Sequence, residues 1–151
     1  MVTDHIIVRD IRTEDRESWA HLFRSYRAFY RLDPDESVIE TVWSWLADSL
    51  NPLQGLVADR DGAVVGIAHY RSFTRPASGS MGTWLDDLFT IAEHRGSGVG
   101  RALVLEVTAR ATAQQHSIVR WITATDNVTA QRLYEDIAQR TSWVMYERRT
   151  G

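Results

Sequence analysis

Between Arg95 and Arg101 the chain reads Arg-Gly-Ser-Gly-Val-Gly-Arg, directly after an apolar run and directly before a helix-spaced stripe of Val99, Leu103, Val107 and Ala111. Glycines at a strand-to-helix junction let the backbone approach a ligand closely and point several N–H groups the same way. The helix dipole adds partial positive charge at that point, and Arg95 and Arg101 add full charges, so a pyrophosphate is a suitable guest. A dinucleotide fingerprint would need Gly-x-Gly-x-x-Gly after a first strand. Here the third glycine, Gly100, comes one residue early and Arg101 holds the expected place. A P-loop would need Gly-Lys-Ser/Thr, and the chain has no lysine. Taken alone, the loop fits a plain helix-start turn equally well.

Two further groups can do chemistry. Asp86 and Asp87 stand in the otherwise apolar run Trp84-Leu85-Asp86-Asp87-Leu88-Phe89. Neighbouring strand residues point to opposite faces, so only one of the two carboxylates faces a given site unless a bulge intervenes. Each is also an ordinary sheet-face carboxylate or an arginine partner. Asn127, Ala130 and Tyr134 are spaced i, i+3 and i+7 and share one face of a helix. Phe29 and Tyr30 with Asp33, Asp35 and Glu36 make an aromatic and acidic patch that would welcome a cation. A core aromatic stripe followed by a solvated turn explains it too. The five histidines show no metal-ligand spacing and receive no role, and no metal is expected.

These residues need elements to hold them. His5 to Ile11 is short and β-branched and reads as a strand, and Thr13-Glu14-Asp15 opens a helix carrying Trp19, Leu22, Phe23, Tyr26, Phe29 and Tyr30 at helical spacing. Pro34 ends it, and Val38, Val42, Trp45, Leu46 and Leu50 mark a second helix. Gln54–Asp59 and Ala63–Phe73, joined by Arg60-Asp61-Gly62, form a hairpin. After a loop at 74–82, Thr83–Ile91 is a strand, and the glycine loop leads into a third helix. Ser117–Thr123 is a strand, Asn127–Ala138 a helix and Ser142–Arg148 a last strand.

Composition narrows the chemistry. A chain of 151 residues and 17.3 kDa suits one domain over residues 1–151. Without cysteine there is no thiolate nucleophile and no enzyme thioester; with all 17 basic residues arginine, Schiff-base chemistry is excluded as well. A net charge of −3 disfavours nucleic acid and suits a cationic small molecule. No apolar run is long enough for a membrane span, and Met1 to His5 does not begin a secretory signal, so the cytoplasm is the expected compartment.

Arg95, Gly98 and Gly100 match the Arg/Gln-x-x-Gly-x-Gly/Ala pattern of the GNAT N-acetyltransferase superfamily, and the segment from Trp121 through Thr123, Asn127 and Ala130 to Leu133-Tyr134-Glu135 resembles its Asn-x-x-Ala and Leu-Tyr pattern. The resemblance covers nearly the whole chain. It implies an α/β (α+β) fold with a mixed, mostly antiparallel sheet flanked by helices, in the order βααβββαβαβ, and direct acetyl transfer from acetyl-coenzyme A to a primary amine. By resemblance, main-chain groups of Gly96, Ser97, Gly98, Val99, Gly100 and Arg101 with Arg95 would hold the pyrophosphate. Leu88, Phe89 and Thr90 would pair with the pantetheine arm, and the Asn127–Ala130–Tyr134 face would border it. Tyr134 would protonate the leaving thiolate, a transfer from a pKa of about 10 to one of roughly 8.5 that needs positioning more than driving force. The run from Trp84 to Phe89 looks like the polyamine acetyltransferase branch, which implies Asp86 as the proton acceptor and puts Trp84, Asp87 and Tyr30 beside a small cationic acceptor. A protein lysine or N-terminus, an amino acid, or a non-catalytic acyl-coenzyme A sensor on the same fold are the alternatives. Homodimers are common in the superfamily. Many members follow Leu-Tyr with Leu-Gly-Phe; this chain has Ile137 to Trp143 there instead, which alters the turn into the expected last strand.

Overall fold

A computed structural model describes residues 5–151; the expectation resting on Met1 to Asp4 lies outside them. The elements are β1 (Ile6–Asp10), α1 (Arg16–Phe29), α2 (Glu36–Ala47), β2 (Leu53–Arg60), β3 (Ala63–Arg75), β4 (Ser80–Thr90), α3 (Val99–Ala113), β5 (Val119–Arg120) and α4 (Val128–Ile137). The five strands lie in the order β1-β2-β3-β4-β5. All neighbours are antiparallel except β4 and β5, which the α3 crossover joins in parallel. This is the expected mixed, mostly antiparallel α/β fold.

Local chemistry explains most boundaries. Asp61 (φ 52°) and Gly62 (φ 89°) both take left-handed backbone in the two-residue turn that pairs Arg60 with Ala63, the geometry an Asp-Gly hairpin requires. Asp35 caps α2, its carboxylate accepting from the Ser37 N–H at 2.9 Å. Asp15, buried at the start of α1, accepts from the Arg12 N–H at 2.8 Å and from the Arg9 guanidinium at 2.7 Å. These hydrogen bonds, led by Arg9, hold its carboxyl below the usual range against the opposing effect of burial.

Alternation divides the sheet between two helical layers. Val57, Ile67 and Phe89 pack with Trp19, Leu22 and Phe23 of α1 and Ile39 and Val42 of α2. Gly66 faces the other way, against α3. A Cβ on Gly66 would lie 2.7 Å from Val99 Cγ1 and 3.0 Å from Leu103 Cδ1, both fully packed, so the glycine sets how closely the helix beginning at the Gly96–Gly100 loop can sit on the sheet. Replacing Gly66 by Val is expected to lower stability by about 2 kcal/mol. A urea midpoint equal to wild type would refute this close-packing role.

Two elements differ from the sequence reading. The expected strand 117–123 shrinks to Val119–Arg120, which pairs only with Thr83 and Trp84. The ladder stops just before β4 bulges at Asp86, and a bulge twists a strand away from its partner. The final strand of the order βααβββαβαβ, expected at 142–148, is not formed: among the described residues the sheet ends at β5, and Trp143 and Tyr146 are 81% and 90% exposed. A strand exists only through its pairing, and apolar alternation alone does not supply a partner.

Residues 122–151, with α4, cluster as a second compact unit, the first ending at Trp121. Within this unit Asn127 caps α4, accepting from the Ala130 N–H at 3.3 Å, and the Gln131 side-chain amide donates to the carbonyls of Ala124 and Thr125 at 3.0 and 2.9 Å, closing the turn that leads in. Among the described residues no helix is long and apolar enough to cross a membrane.

Candidate active site

A cavity of about 410 Å³ opens between α2, the following loop and strands β2 to β4; it is lined by Val42, Trp45, Pro52, Leu53, Arg71, Asp86 and Asp87 with Asn51. Strict alternation would send one of the two aspartates to the opposite face. Instead His69 pairs with Asp87 and Tyr70 with Leu85, so Asp86 is the extra residue of a β-bulge and both carboxylates reach the same cavity.

The two carboxylates are held differently. Asp87 Oδ2 lies 2.8 Å from His69 Nδ1, and His69 Nε2 lies 2.8 Å from the indole nitrogen of Trp19. An indole N–H can only donate, so His69 Nε2 is the acceptor, the ring's hydrogen sits on Nδ1, and that N–H donates to Asp87. His69 and Trp19 are both fully buried, which fixes this chain of hydrogen bonds in place. Burial alone would raise the Asp87 pKa, but the His69 hydrogen bond, helped by the nearby Tyr26 hydroxyl, holds it below the usual carboxylate range. The Tyr26 hydroxyl is itself pushed well up, by burial first and by Asp87 next, so it stays protonated. Asp86 behaves in the opposite way: burial raises its pKa, and the Arg71 Nε, donating to its two oxygens at 3.2 and 3.0 Å, only partly offsets that. The two neighbouring carboxylates are thus shifted in opposite directions, Asp87 down and Asp86 up.

The glycine loop lies at the start of α3. Gly96 (φ 76°) and Gly98 (φ 91°) are left-handed, and a Cβ at either would meet nothing within 4 Å, so the loop presents backbone to open space. Gly98 is the N-cap and offers no side-chain acceptor, which leaves the first-turn N–H groups of α3 for an anion. Val99 contributes main chain only, since its side chain is buried in the core. Arg60 of β2 braces the loop: Nη1 donates to Ser97 Oγ at 3.0 Å and lies 3.0 Å from His94 Nδ1. Arg95 folds back, its Nε donating to the Thr90 carbonyl at 3.0 Å and its guanidinium lying 5.3 and 5.2 Å from the ring centres of Phe29 and Phe89. Exposed Arg101 stands in the first turn of α3.

Past Trp84 the ladder to β5 ends, so one edge of β4 through Leu88, Phe89 and Thr90 has no strand neighbour among the described residues. An extended chain could add to that edge and reach the glycine loop a few residues on. An open strand edge, left-handed glycines with free space before them and an uncapped helix start are what a pantetheine arm ending in a pyrophosphate needs. These residues fit coenzyme A.

The structure brings together Asp86 and Asp87, and separately the loop from Arg95 to Arg101. It does not bring Tyr30 or Trp84 to the acidic cavity: Tyr30 stacks near Tyr26 and Phe29, and Trp84 packs edge-on against Phe73. In the acidic patch after α1, Asp35 caps α2 and Glu36 is bonded to Arg24 at 2.7 Å. Asn127 likewise spends its side chain on the α4 cap, with Ala130 and half-buried Tyr134 further along that helix. Sequence reading missed His69, Trp19, Arg60, Arg71 and Trp45. His69, a lone polar residue inside the apolar run of β3, was the one visible signal; sequence reading gives it no role, and the structure places it between Trp19 and Asp87.

Residues 16–138 match the model of the acetyltransferase (GNAT) family. The D-amino-acid N-acetyltransferase of Saccharomyces cerevisiae is 31% identical over 150 residues, spanning 98% of this chain and 93% of that protein. Phosphinothricin N-acetyltransferase of Alcaligenes faecalis is 33% identical over 108 residues, 68% of this chain and 53% of that one. The fold superposes on an aminoglycoside N-acetyltransferase in complex with coenzyme A with a TM-score of 0.81 at 19% identity, covering 98% of this chain and 97% of the other. A family match across most of its length, placed on a strand edge and glycine loop suited to coenzyme A, shows that this chain belongs to the acetyltransferase (GNAT) family and is an acetyl-coenzyme A-dependent N-acetyltransferase.

Proposed function

We propose that the chain, acting as one catalytic domain, acetylates a small primary amine that binds as its ammonium ion in the Asp86–Asp87 cavity. The observation carrying this is the bulge that turns both carboxylates into one cavity of small-molecule size. The Trp84–Phe89 pattern resembles that of polyamine acetyltransferases, while the relatives are named for D-amino acids and phosphinothricin.

Acetyl-coenzyme A supplies the acetyl group as a thioester. Main-chain N–H groups from Gly96 to Arg101 bind its pyrophosphate, with Arg95 and Arg101 adding charge, and the open edge of β4 aligns the arm. Asp87, fixed by His69, orients the ammonium. Asp86 takes its proton, directly or through a water, which frees the nitrogen lone pair for attack. Attack on the thioester carbonyl gives a tetrahedral adduct; as its C–S bond breaks, Tyr134 gives its proton to the departing sulfur, and the phenolate takes back the second proton that the nitrogen must lose. The ammonium thus gives up two protons, one ending on the thiol and one passing through Asp86 to solvent.

Two results follow. The initial rate of coenzyme A release over a panel of amines should saturate with at least one of them, and Tyr134→Phe should lower kcat about 100-fold while acetyl-coenzyme A still binds. Binding without turnover on any amine would favour a sensor; absence of binding would refute the loop assignment. The acid limb of kcat/KM should also lie above the ordinary carboxylate range. The sign follows from Asp86: it must be ionised to accept a proton, its pKa is raised by burial, and activity is therefore lost as pH falls through that raised value. Asp87, held below the usual range, stays ionised throughout. A limb unchanged by Asp86→Asn in the residual activity would assign proton removal elsewhere.

A further inference from the structure

The acidic cavity also holds a cation. Arg71 of β3 lines it beside the two aspartates, its side chain 44% exposed, and only its Nε is engaged, on Asp86. Among the described residues its terminal nitrogens, Nη1 and Nη2, donate to no protein group. A guanidinium carries five donors in a planar fork, and the fork's outer edge matches a carboxylate.

Resting on the acetyltransferase reading, we propose that the terminal fork of Arg71 binds a carboxylate on the acceptor, so the acceptor class is a small amino acid with an apolar side chain rather than a polyamine. The charges in the cavity are adjacent and opposite: Asp86 lies within hydrogen-bonding distance of Arg71, with Asp87 next along the bulge. An amino acid carries its ammonium and carboxylate on one carbon, also adjacent and opposite. Laid antiparallel to the protein's charges, it puts its ammonium on the aspartates and its carboxylate on Arg71. A polyamine offers only further cations, and one of them would meet Arg71 as a like charge in a partly buried space. The remaining wall, Val42, Trp45, Pro52 and Leu53, is mostly apolar and suits a hydrocarbon or aromatic side chain.

The test holds the side chain constant and varies the carboxylate: kcat/KM for phenylalanine, in both enantiomers, for phenylalaninamide and for phenethylamine. Wild type is expected to prefer one phenylalanine enantiomer over phenethylamine by at least about tenfold, because a site built to pair a polar group rejects the analogue lacking it. In Arg71→Gln that ratio should collapse to near one, and Arg71→Lys, which keeps the charge but loses the fork, should give an intermediate ratio. The ratio is the readout, so a general loss of activity through Asp86 does not mimic it. Wild type that acetylates phenethylamine or a polyamine as well as or better than phenylalanine overturns the proposal and leaves the acetyltransferase reading standing, as does a preference that survives Arg71→Gln. No transfer to any amine overturns both.

Discussion

Asp87→Asn is expected to lower kcat/KM for the acceptor amine by roughly 100-fold, with KM for acetyl-coenzyme A nearly unchanged. The reason lies in what the substitution keeps. An asparagine oxygen can still accept the His69 Nδ1–H at the 2.8 Å position, so the buried Trp19–His69 chain and the packing around it survive. What disappears is the negative charge, which is the part that pairs with an ammonium ion in a partly buried cavity. Steady-state kinetics with each substrate varied in turn, beside a thermal midpoint, separate the two effects. A midpoint close to wild type with acceptor kinetics also unchanged would show that Asp87 is only a structural partner for His69.

Gly98→Val should raise KM for acetyl-coenzyme A by about 100-fold. Gly98 is at φ 91°, a backbone conformation that a β-branched residue cannot hold without strain, and it is the N-cap of α3. The first turn of the helix must then shift, and its N–H groups lose their aim at the pyrophosphate; a displacement of the order of 1 Å at a positioning element costs about this much. The matched control is Gly79→Val. Gly79 also has positive φ, 61°, and lies in the β3–β4 turn away from the loop, so it should cost stability without changing that KM. Equal effects of the two substitutions on KM would mean that the loop does not bind the cofactor.

Where the chemistry was local, the sequence was readable. Asp61-Gly62 announced a two-residue hairpin because only a few residues tolerate positive φ in succession, and the glycines from Gly96 to Gly100 announced a turn with left-handed backbone, which Gly96 and Gly98 adopt. Asp35 reads as part of an acidic patch and Asn127 as part of a face bordering the cofactor, and in the structure both side chains cap helices. The acidic cavity was harder to see. Alternation along Trp84–Phe89 places Asp86 and Asp87 on opposite faces, and only the register against β3 shows that Asp86 is an inserted residue. Register depends on cross-strand partners 15 or more positions away, so no window of sequence contains it. His69 and Arg71 were hidden for the same cause: their partners, Trp19, Asp87 and Asp86, are distant in the chain. The last strand failed in the reverse direction, since Ser142–Arg148 has the composition of a strand but no ladder in the structure.

The central claim is acetyl transfer from coenzyme A to a small amine, and it is tested most directly by incubating the protein with isotopically acetyl-labelled coenzyme A and an amine panel, then measuring product by mass spectrometry. The prediction is labelled N-acetyl amine formed in a one-to-one ratio with free coenzyme A, at subsaturating substrate lowered about 100-fold by Asp87→Asn and by Gly98→Val. Coenzyme A released without any labelled amine, or no release at all from protein that is folded, would contradict it.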